Sequence, residues 1–281
     1  MIDFSSGEYG VKAVIRSEWQ EEYLTKLIQN NVKELELNDG KGWHSKNVDF
    51  LEFLPNLTAM TLINFKIDCI QGVQYLKKLN YLNLLTYCRD AINFKCFPEL
   101  IDCSFEWING SESLFAVDSL KSLSVNNYKE VESNLFSNLI NLEKLEIMNS
   151  NMECISAITP LTNLKSLHLA NLNKLDAVSG IQELLNLEEL EIQKCKNVSE
   201  VTEIFELKKL RRLLLLDMGK INTIIGIENL TELEYLFFYE STNIIDGDLS
   251  SIWKLNKLAK ISFQNRRHYS HNREEFGHLY G

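Results

Sequence analysis

A short phrase of the form LxxLxL returns every 20 to 25 residues along this chain of 281 residues. Copies begin at Leu57 (LTAMTL), Leu79 (LNYLNL), Leu100 (LIDCSF), Leu120 (LKSLSV), Leu142 (LEKLEI) and Leu164 (LKSLHL). They continue at Leu187 (LEELEI), Leu210 (LRRLLL), Leu233 (LEYLFF) and Leu258 (LAKISF), and a first copy stands at Val32 (VKELEL). A period in this range marks a solenoid. In an extended segment alternate side chains face opposite ways, so the leucines of one phrase share a side and the residues between them share the other. Further apolar residues follow three apart, as in Met152, Ile155, Ile158 and Leu161 or Ile221, Ile224, Ile227 and Leu230. That spacing suits a 3-10 or α turn on the opposite wall. Each repeat offers about five such side chains to a core, worth roughly 1.5–3 kcal/mol each. Ordering its ~22 residues costs about 1–2 kcal/mol per residue, so a lone repeat is unstable and only a stack holds.

The expected architecture is an α/β leucine-rich repeat solenoid. It is a curved horseshoe with a parallel β-sheet on the concave face and short 3-10 or α turns on the convex face. About eleven units fill residues 32–265. Residues 1–31 do not carry the phrase and read as an N-terminal cap. Val11–Ile15 is a short strand, and Ser17 with Gln20 forms a capping box for a helix to about Asn30. Trp19, Tyr23, Leu24 and Leu27 fall three or four apart on that helix and give it one apolar stripe to lay on the first repeat. Such a cap hides the open edge of the sheet from other chains. Residues 266–281 read as a C-terminal cap or tail.

The run Ile155-Ser156-Ala157-Ile158-Thr159-Pro160-Leu161-Thr162-Asn163-Leu164 resembles the 22-residue unit of internalin-type and related bacterial leucine-rich repeat proteins. The resemblance covers most of residues 32–265 and implies the fold and a binding role, since that architecture hosts many of them. The chain departs from the pattern where the family's buried asparagine follows the strand: Phe65, Tyr87, Ile108, Tyr128 and Cys195 stand there in several units. It also lacks the export and wall-anchoring segments of internalins, which points to an intracellular role. A second resemblance, to the ending of short bacterial leucine-rich repeat proteins, rests on three runs. They are Tyr239–Asn243, Asp246-Gly247-Asp248-Leu249 and Arg266-Arg267-His268-Tyr269-Ser270-His271. It implies bacterial origin and the same fold.

Charge narrows the partner. Twenty-nine Lys and Arg against 39 Asp and Glu give a formal charge of −10 and a pI near 5.1. Nucleic acid, which binds through cations on phosphates, is disfavoured, and a basic protein is favoured. No apolar run approaches the ~20 residues of a membrane helix. The first eight residues lack a basic region followed by an apolar stretch, so no signal peptide is expected. Cys69, Cys88, Cys96, Cys103, Cys154 and Cys195 include no CxxC pair, which suits buried, reduced thiols in the cytoplasm.

Catalytic signals are weak. The chain has no HExxH motif, GxSxG elbow or glycine-rich phosphate loop. The His268-Tyr269-Ser270-His271 cluster, with Arg266, Arg267 and Arg273 beside it, is the best metal or catalytic candidate, against a cap that satisfies the last strand. Asp246-Gly247-Asp248 is too short for a calcium loop and suits a turn. His168 sits on the exposed side of its strand and reads as a surface residue. No enzyme, cofactor or metal is expected.

Binding signals are better. Between the leucines, acidic groups recur at Glu34, Glu36, Asp102, Glu106, Glu146, Glu189 and Glu191, with aromatics at Tyr81, Trp107, Tyr128, Tyr235, Phe237 and Tyr239. Lys144, Arg211 and Arg212 make the face mixed. Exposed aromatics anchor protein interfaces. The expected partner surface is Tyr81, Asp102, Glu106, Trp107, Tyr128, Glu146, Glu189, Glu191, Arg212, Tyr235, Phe237 and Tyr239. The expected protein is a monomeric, cytoplasmic scaffold that binds protein. In its most concrete form it is an inhibitor or immunity protein that neutralises a basic toxin such as a nuclease. Alternatives are an effector or adaptor on a host protein and an enzyme built on the C-terminal histidines.

Overall fold

A computed structural model describes residues 1–129 and 135–279, which fall into two compact units, Met1–Asn126 and Asn127–Gly281. In unit one, β1 (Ile2–Ser6) lies antiparallel on β2 (Val11–Ile15). From β2 every pairing is parallel, through β3 (Glu34–Asn38), β4 (Ala59–Ile63), β5 (Tyr81–Leu85), β6 (Asp102–Glu106) and β7 (Ser122–Asn126). Unit two repeats the plan with β8 (Lys144–Met148), β9 (Ser166–Ala170), β10 (Glu189–Gln193) and β11 (Arg212–Leu216). Next to them lie β13 (Tyr235–Phe238) and β15 (Lys260–Phe263). On another wall of unit two, β12 (Lys220–Ile221) pairs in parallel with β14 (Asn243–Ile244).

Each LxxLxL phrase carries one strand, which starts two residues after the phrase begins. In unit one the inward rows are Leu35, Met60, Leu82, Cys103, Leu123 and Leu37, Leu62, Leu84, Phe105, Val125, in register and at most 1% exposed. In unit two Leu145, Leu167, Leu190, Leu213, Leu236 and Ile261 form an inward row of the same kind. The threefold apolar residues close the core: Met152, Ile155, Ile158 and Leu161 are buried, as are Ile221, Ile224, Ile227 and Leu230. Short 3-10 turns such as Gln71–Tyr75 and Thr202–Glu206 carry residues of this wall.

The N-terminal segment differs from its sequence reading in detail. A strand at Ile2–Ser6, mostly exposed, precedes the expected one and pairs with it. Helix α1 spans Glu21–Gln29, and its N-cap is Gln20 with no side-chain cap bond. Ser17 forms no capping box because its hydroxyl is engaged by the Met1 amino group at 2.9 Å and by the Tyr23 hydroxyl at 2.8 Å. Of the expected stripe only Tyr23 and Leu27 are buried on the helix; Trp19 precedes it and stacks on Phe50 with ring centroids 3.5 Å apart.

The corner after each strand is built in two ways. In unit one Phe65 and Tyr87 do not occupy the buried asparagine position. Their rings are 44% and 63% exposed, and the interior polar group comes one residue earlier, at Asn64 and Thr86. Asn64 accepts from Lys66 N–H at 2.8 Å and donates to the Ser45 carbonyl; Thr86 accepts from Cys88 N–H at 3.0 Å. In unit two a left-handed residue turns the chain: Asn127, Asn149, Asn171, Lys194, Asp217 and Glu240 all have φ between 52° and 62°. Behind this column Ser150 donates to the Tyr128 carbonyl, and Thr242 accepts from Met218 N–H and donates to the Leu215 carbonyl.

Left-handed backbone costs an ordinary L-residue roughly 1–2 kcal/mol, and asparagine tolerates it best after glycine. Lys194→Asn and Glu240→Asn are therefore expected to stabilise the protein by about 0.5 kcal/mol each. Urea denaturation reads the gain; a loss would mean that the native side chains hold the corner by contacts of their own.

Of the six cysteines, Cys88, Cys103 and Cys195 are buried and fill core positions. Burial pushes the Cys195 thiol up to about 11 and Cys103 well above its ordinary value, so both stay protonated. Cys69 and Cys96 are half-buried, and Cys154 is exposed with its sulfur 3.0 Å from the Ser156 hydroxyl, so the reading of six buried thiols holds for three.

Candidate functional site

Parallel pairing without slippage turns single residues into rows across the open face of the sheet. In unit two the first row is Lys144, Ser166, Glu189, Arg212, Tyr235, Lys260 and the next is Glu146, His168, Glu191, Leu214, Phe237, Ser262. Three carboxylates, Lys144 and His168 thus lie toward one side, and Tyr235 and Phe237 lie toward the other between Arg212 and Lys260. The Arg212 guanidinium lies 6.0 Å from the centre of the Tyr235 ring, a cation–π contact at the seam. Leu214, next to Phe237, is only 6% exposed although it stands on the open face. Leu214 is absent from the expected partner surface, although in RLLLL alternation alone assigns it to this side. Tyr239 lies beyond the end of β13, half-buried, and its carbonyl accepts from Asp217 and Thr242.

His168 stands between two carboxylates. Its Nδ1 is 3.9 Å from Glu146 and its Nε2 is 3.5 Å from Glu191, on the strands to either side. The nearby carboxylate of Glu146, aided by the charge of Glu191 and resisted by partial burial and Lys144, holds the imidazole above its ordinary pKa. A raised folded pKa stabilises the fold fully below the unfolded value, about 6.5, and the benefit fades as pH rises through the folded value. His168→Gln is thus expected to lower Tm at mildly acidic pH and to cost progressively less toward alkaline pH. A deficit that stays constant across the pH series would reduce the ring to a packing role. Around this triad Lys144, Glu189, Arg212 and Leu214 complete a concavity of about 290 Å³.

In unit one the face is less acidic than its sequence columns suggest. Glu36 is 6% exposed and is gripped by Lys12 at 3.1 Å and Lys41 at 2.5 Å. Burial alone would raise its pKa, and the two ammonium groups more than offset this, leaving the carboxyl below its ordinary value. Glu106 is buried at 3% and accepts from the Asn126 amide at 2.7 Å, so it is a corner residue and not a contact surface. Trp107 is half-buried, with its ring 6.1 Å from Phe105 and 6.4 Å from Phe115. Tyr81 and Asp102 are half-exposed neighbours on adjacent strands. In unit two Tyr128, expected on the open face, is instead 2% exposed and packs edge-on against Phe136. Glu106, Trp107 and Tyr128 fall at or past the strand end, where the chain turns and strict alternation stops. Arg211 likewise precedes β11 and pairs with Glu234 at 2.8 Å instead of joining the face.

The C-terminal cluster is occupied with backbone. His268 Nε2 meets the Ile244 carbonyl at 2.9 Å, and the Tyr269 hydroxyl accepts from Ile244 N–H at 3.0 Å. The Ser270 hydroxyl accepts from Leu249 N–H, and Arg266 donates to the carbonyls of Glu240 and Thr242. Asp246 and Asp248 accept from Asp248 and Ser250 N–H, the turn and cap duty expected of them. Gly247 is left-handed, and a Cβ there would meet the His268 carbonyl at 2.2 Å. Phe276 lies 3% exposed against Phe263 and Trp253. Residues 280–281 of the expected C-terminal segment lie outside the described residues. Among the described residues no group of three or more His, Cys, Asp and Glu could hold a metal ion, and no helix is long and apolar enough to cross a membrane.

Rows of this kind, on a sheet of stacked LxxLxL strands backed by 3-10 turns, define a leucine-rich repeat protein. Its fold is that of an internalin (inlF) of Listeria monocytogenes, with a TM-score of 0.68 at 20% identity over 85% of this chain and 70% of that one. Internalin C2 of the same organism superposes with a TM-score of 0.52 at 22% identity, over 76% of this chain and 84% of its own. The leucine-rich repeat domain of the type III effector XopL superposes at 0.55 and 22% identity, over 88% and 81%. In sequence the chain is 29% identical to Toll-like receptor 3 of Boselaphus tragocamelus and 28% identical to that of Bos taurus, over 147 residues in each. That is 51% of this chain, which spans about 15% of the length of those receptors. No family model matches the chain.

Proposed function

We propose that this leucine-rich repeat protein is a non-enzymatic, cytoplasmic and monomeric scaffold that inhibits a basic protein toxin. The observation that carries the reading is the divided face of unit two, with Glu189 and Glu191 in register beside Arg212, Leu214, Tyr235 and Phe237. Acidic groups draw a basic partner in and aromatics hold it. A toxin that acts on nucleic acid presents such a basic surface, and an acidic face competes with its substrate. Nucleic acid itself does not suit a chain of net charge −10. Residues 1–31 and 266–281 serve in this reading as the caps of the solenoid. A second reading, an effector or adaptor on a host protein, draws on the fold shared with the XopL domain and predicts dependence on a secretion system.

The test is capture from the native cell on the wild-type chain and on a Glu189→Gln/Glu191→Gln variant, followed by kinetics with the retained protein. The reading expects a strongly basic protein whose toxicity is relieved by co-expression of the chain. Its association slows on the variant, and the salt dependence flattens, because long-range attraction acts on encounter. An affinity indifferent to salt removes the basic toxin from consideration.

A further inference from the structure

At the other end of the chain the β1–β2 turn folds over the sheet face and closes a second concavity, of about 220 Å³. Tyr9 on that turn and Tyr81 on β5 form one wall, with ring centroids 6.1 Å apart and planes tilted by 34°. Burial, then the carboxylates of Glu8 and Asp102, keep the Tyr9 phenol protonated, and burial does the same for Tyr81. Glu34 stands at the base, its Oε1 accepting from Tyr9 N–H at 2.5 Å. Lys12 and Lys41 both turn to Glu36, so Glu34 has no cationic partner among the described residues. The turn is shaped to reach this carboxylate. A Cβ on Gly7 would lie 2.1 Å from Glu34 Oε1, and Gly7 N–H closes on the Gly10 carbonyl at 2.8 Å.

We propose that this pocket binds the head of an organic cation of side-chain size, an alkylammonium or a guanidinium. The cation would lie against the Tyr9 and Tyr81 rings with its charge on Glu34. Three features select that class. Electron-rich ring faces attract cations, and most strongly where water is partly excluded. A carboxylate lacking a counter-ion supplies the charge and accepts N–H donors. The volume suits one side chain and excludes a folded segment. The Lys12 ammonium, on the pocket lining, is a resident competitor for the same negative field. The site is confined to unit one and does not rest on the docking face of unit two.

Butylamine, tetramethylammonium and the blocked amino acids N-acetyl-lysine and N-acetyl-arginine methylamide serve as probes, with butanol and tert-butanol as neutral isosteres. NMR titration of the purified full chain should show saturable shifts of the Tyr9 and Tyr81 rings with the cations and none with the alcohols. Glu34→Gln and Tyr9→Leu should each weaken binding about fivefold or more. Gly7→Ala, whose new methyl displaces only the flexible end of Glu34, should weaken it with Tm unchanged. Lys12→Met should strengthen it, an outcome that a purely structural role for these residues does not produce. Tighter binding of the blocked amino acids than of free amines assigns the cation to a polypeptide, the reverse order assigns it to a free amine, and both uphold the site. Alcohols that bind as well as the cations, or an unchanged affinity in Glu34→Gln, overturn it.

Discussion

Leu190→Ala is expected to lower the free energy of unfolding by about 2–5 kcal/mol, the range for deleting a buried leucine from a core that relaxes only partly. Leu190 is 1% exposed and lies in register between Leu167 and Leu213, so its loss opens a void shared by three repeats. In a solenoid each repeat is held by its neighbours, and damage at one rung weakens two interfaces. Leu185, five residues earlier and 65% exposed, provides the control: Leu185→Ala should stay within about 0.5 kcal/mol. Chemical denaturation of the two variants measures the difference. A Leu190→Ala effect as small as that of Leu185→Ala would mean a strand register shifted by one residue, which would turn Leu190 outward.

That contrast shows where the sequence is informative. Leu190 could be read as buried from its phrase alone, because the period fixes which residues alternate inward and the same phrase recurs on either side. Leu185 carries the same apolar side chain, and only its place outside the LxxLxL and threefold positions separates it. The reading weakened wherever alternation stopped. Alternation assigns Glu106 and Tyr128 to the open face, but Glu106 closes β6 and Tyr128 lies past the end of β7, where the chain turns into a corner. The repeat pattern sets Phe65 and Tyr87 at the place of a buried asparagine, whereas the chain takes its corner bond one residue earlier from Asn64 and Thr86. Ser17 had the spacing of a cap, but a hydroxyl with two nearer partners, the Met1 amino group and Tyr23, is not free to cap a helix.

The candidate site divides along the same line. The rows holding Glu146, Glu189, Glu191, Arg212, Tyr235 and Phe237 could be read from local pattern because each strand contributes by simple alternation. Pairings between repeats could not. The grip of Lys12 on Glu36, and the bracketing of His168 by Glu146 and Glu191, join residues more than 20 positions apart through neighbouring strands of the sheet. Columns of acidic letters therefore overstated the free charge. The turn that brings Tyr9 over the face was signalled only by its two flanking glycines, Gly7 and Gly10, a hairpin cue weaker than the repeat around it.

Replacing Tyr235 and Phe237 together with alanine is expected to weaken the proposed protein partner by about 2 kcal/mol or more, roughly thirtyfold in Kd. Tm should change little. Tyr235 is 36% exposed and Phe237 half-buried, so neither carries the core, whose row here is Leu236 at 1%. The loss should appear in the dissociation rate, since short-range packing governs residence whereas charge governs encounter. The glutamine variants of Glu189 and Glu191 should show the opposite division, and the two sets of changes should add if the acidic and aromatic halves act independently. Leu214, already 6% exposed beside Phe237, adds apolar area to the same patch without needing to be desolvated. If the aromatic pair can be removed with no loss of affinity, the partner does not use this half of the face. The next surface to probe is then Arg266 to His271, where Arg267 is exposed beside side chains that hold the end of the solenoid.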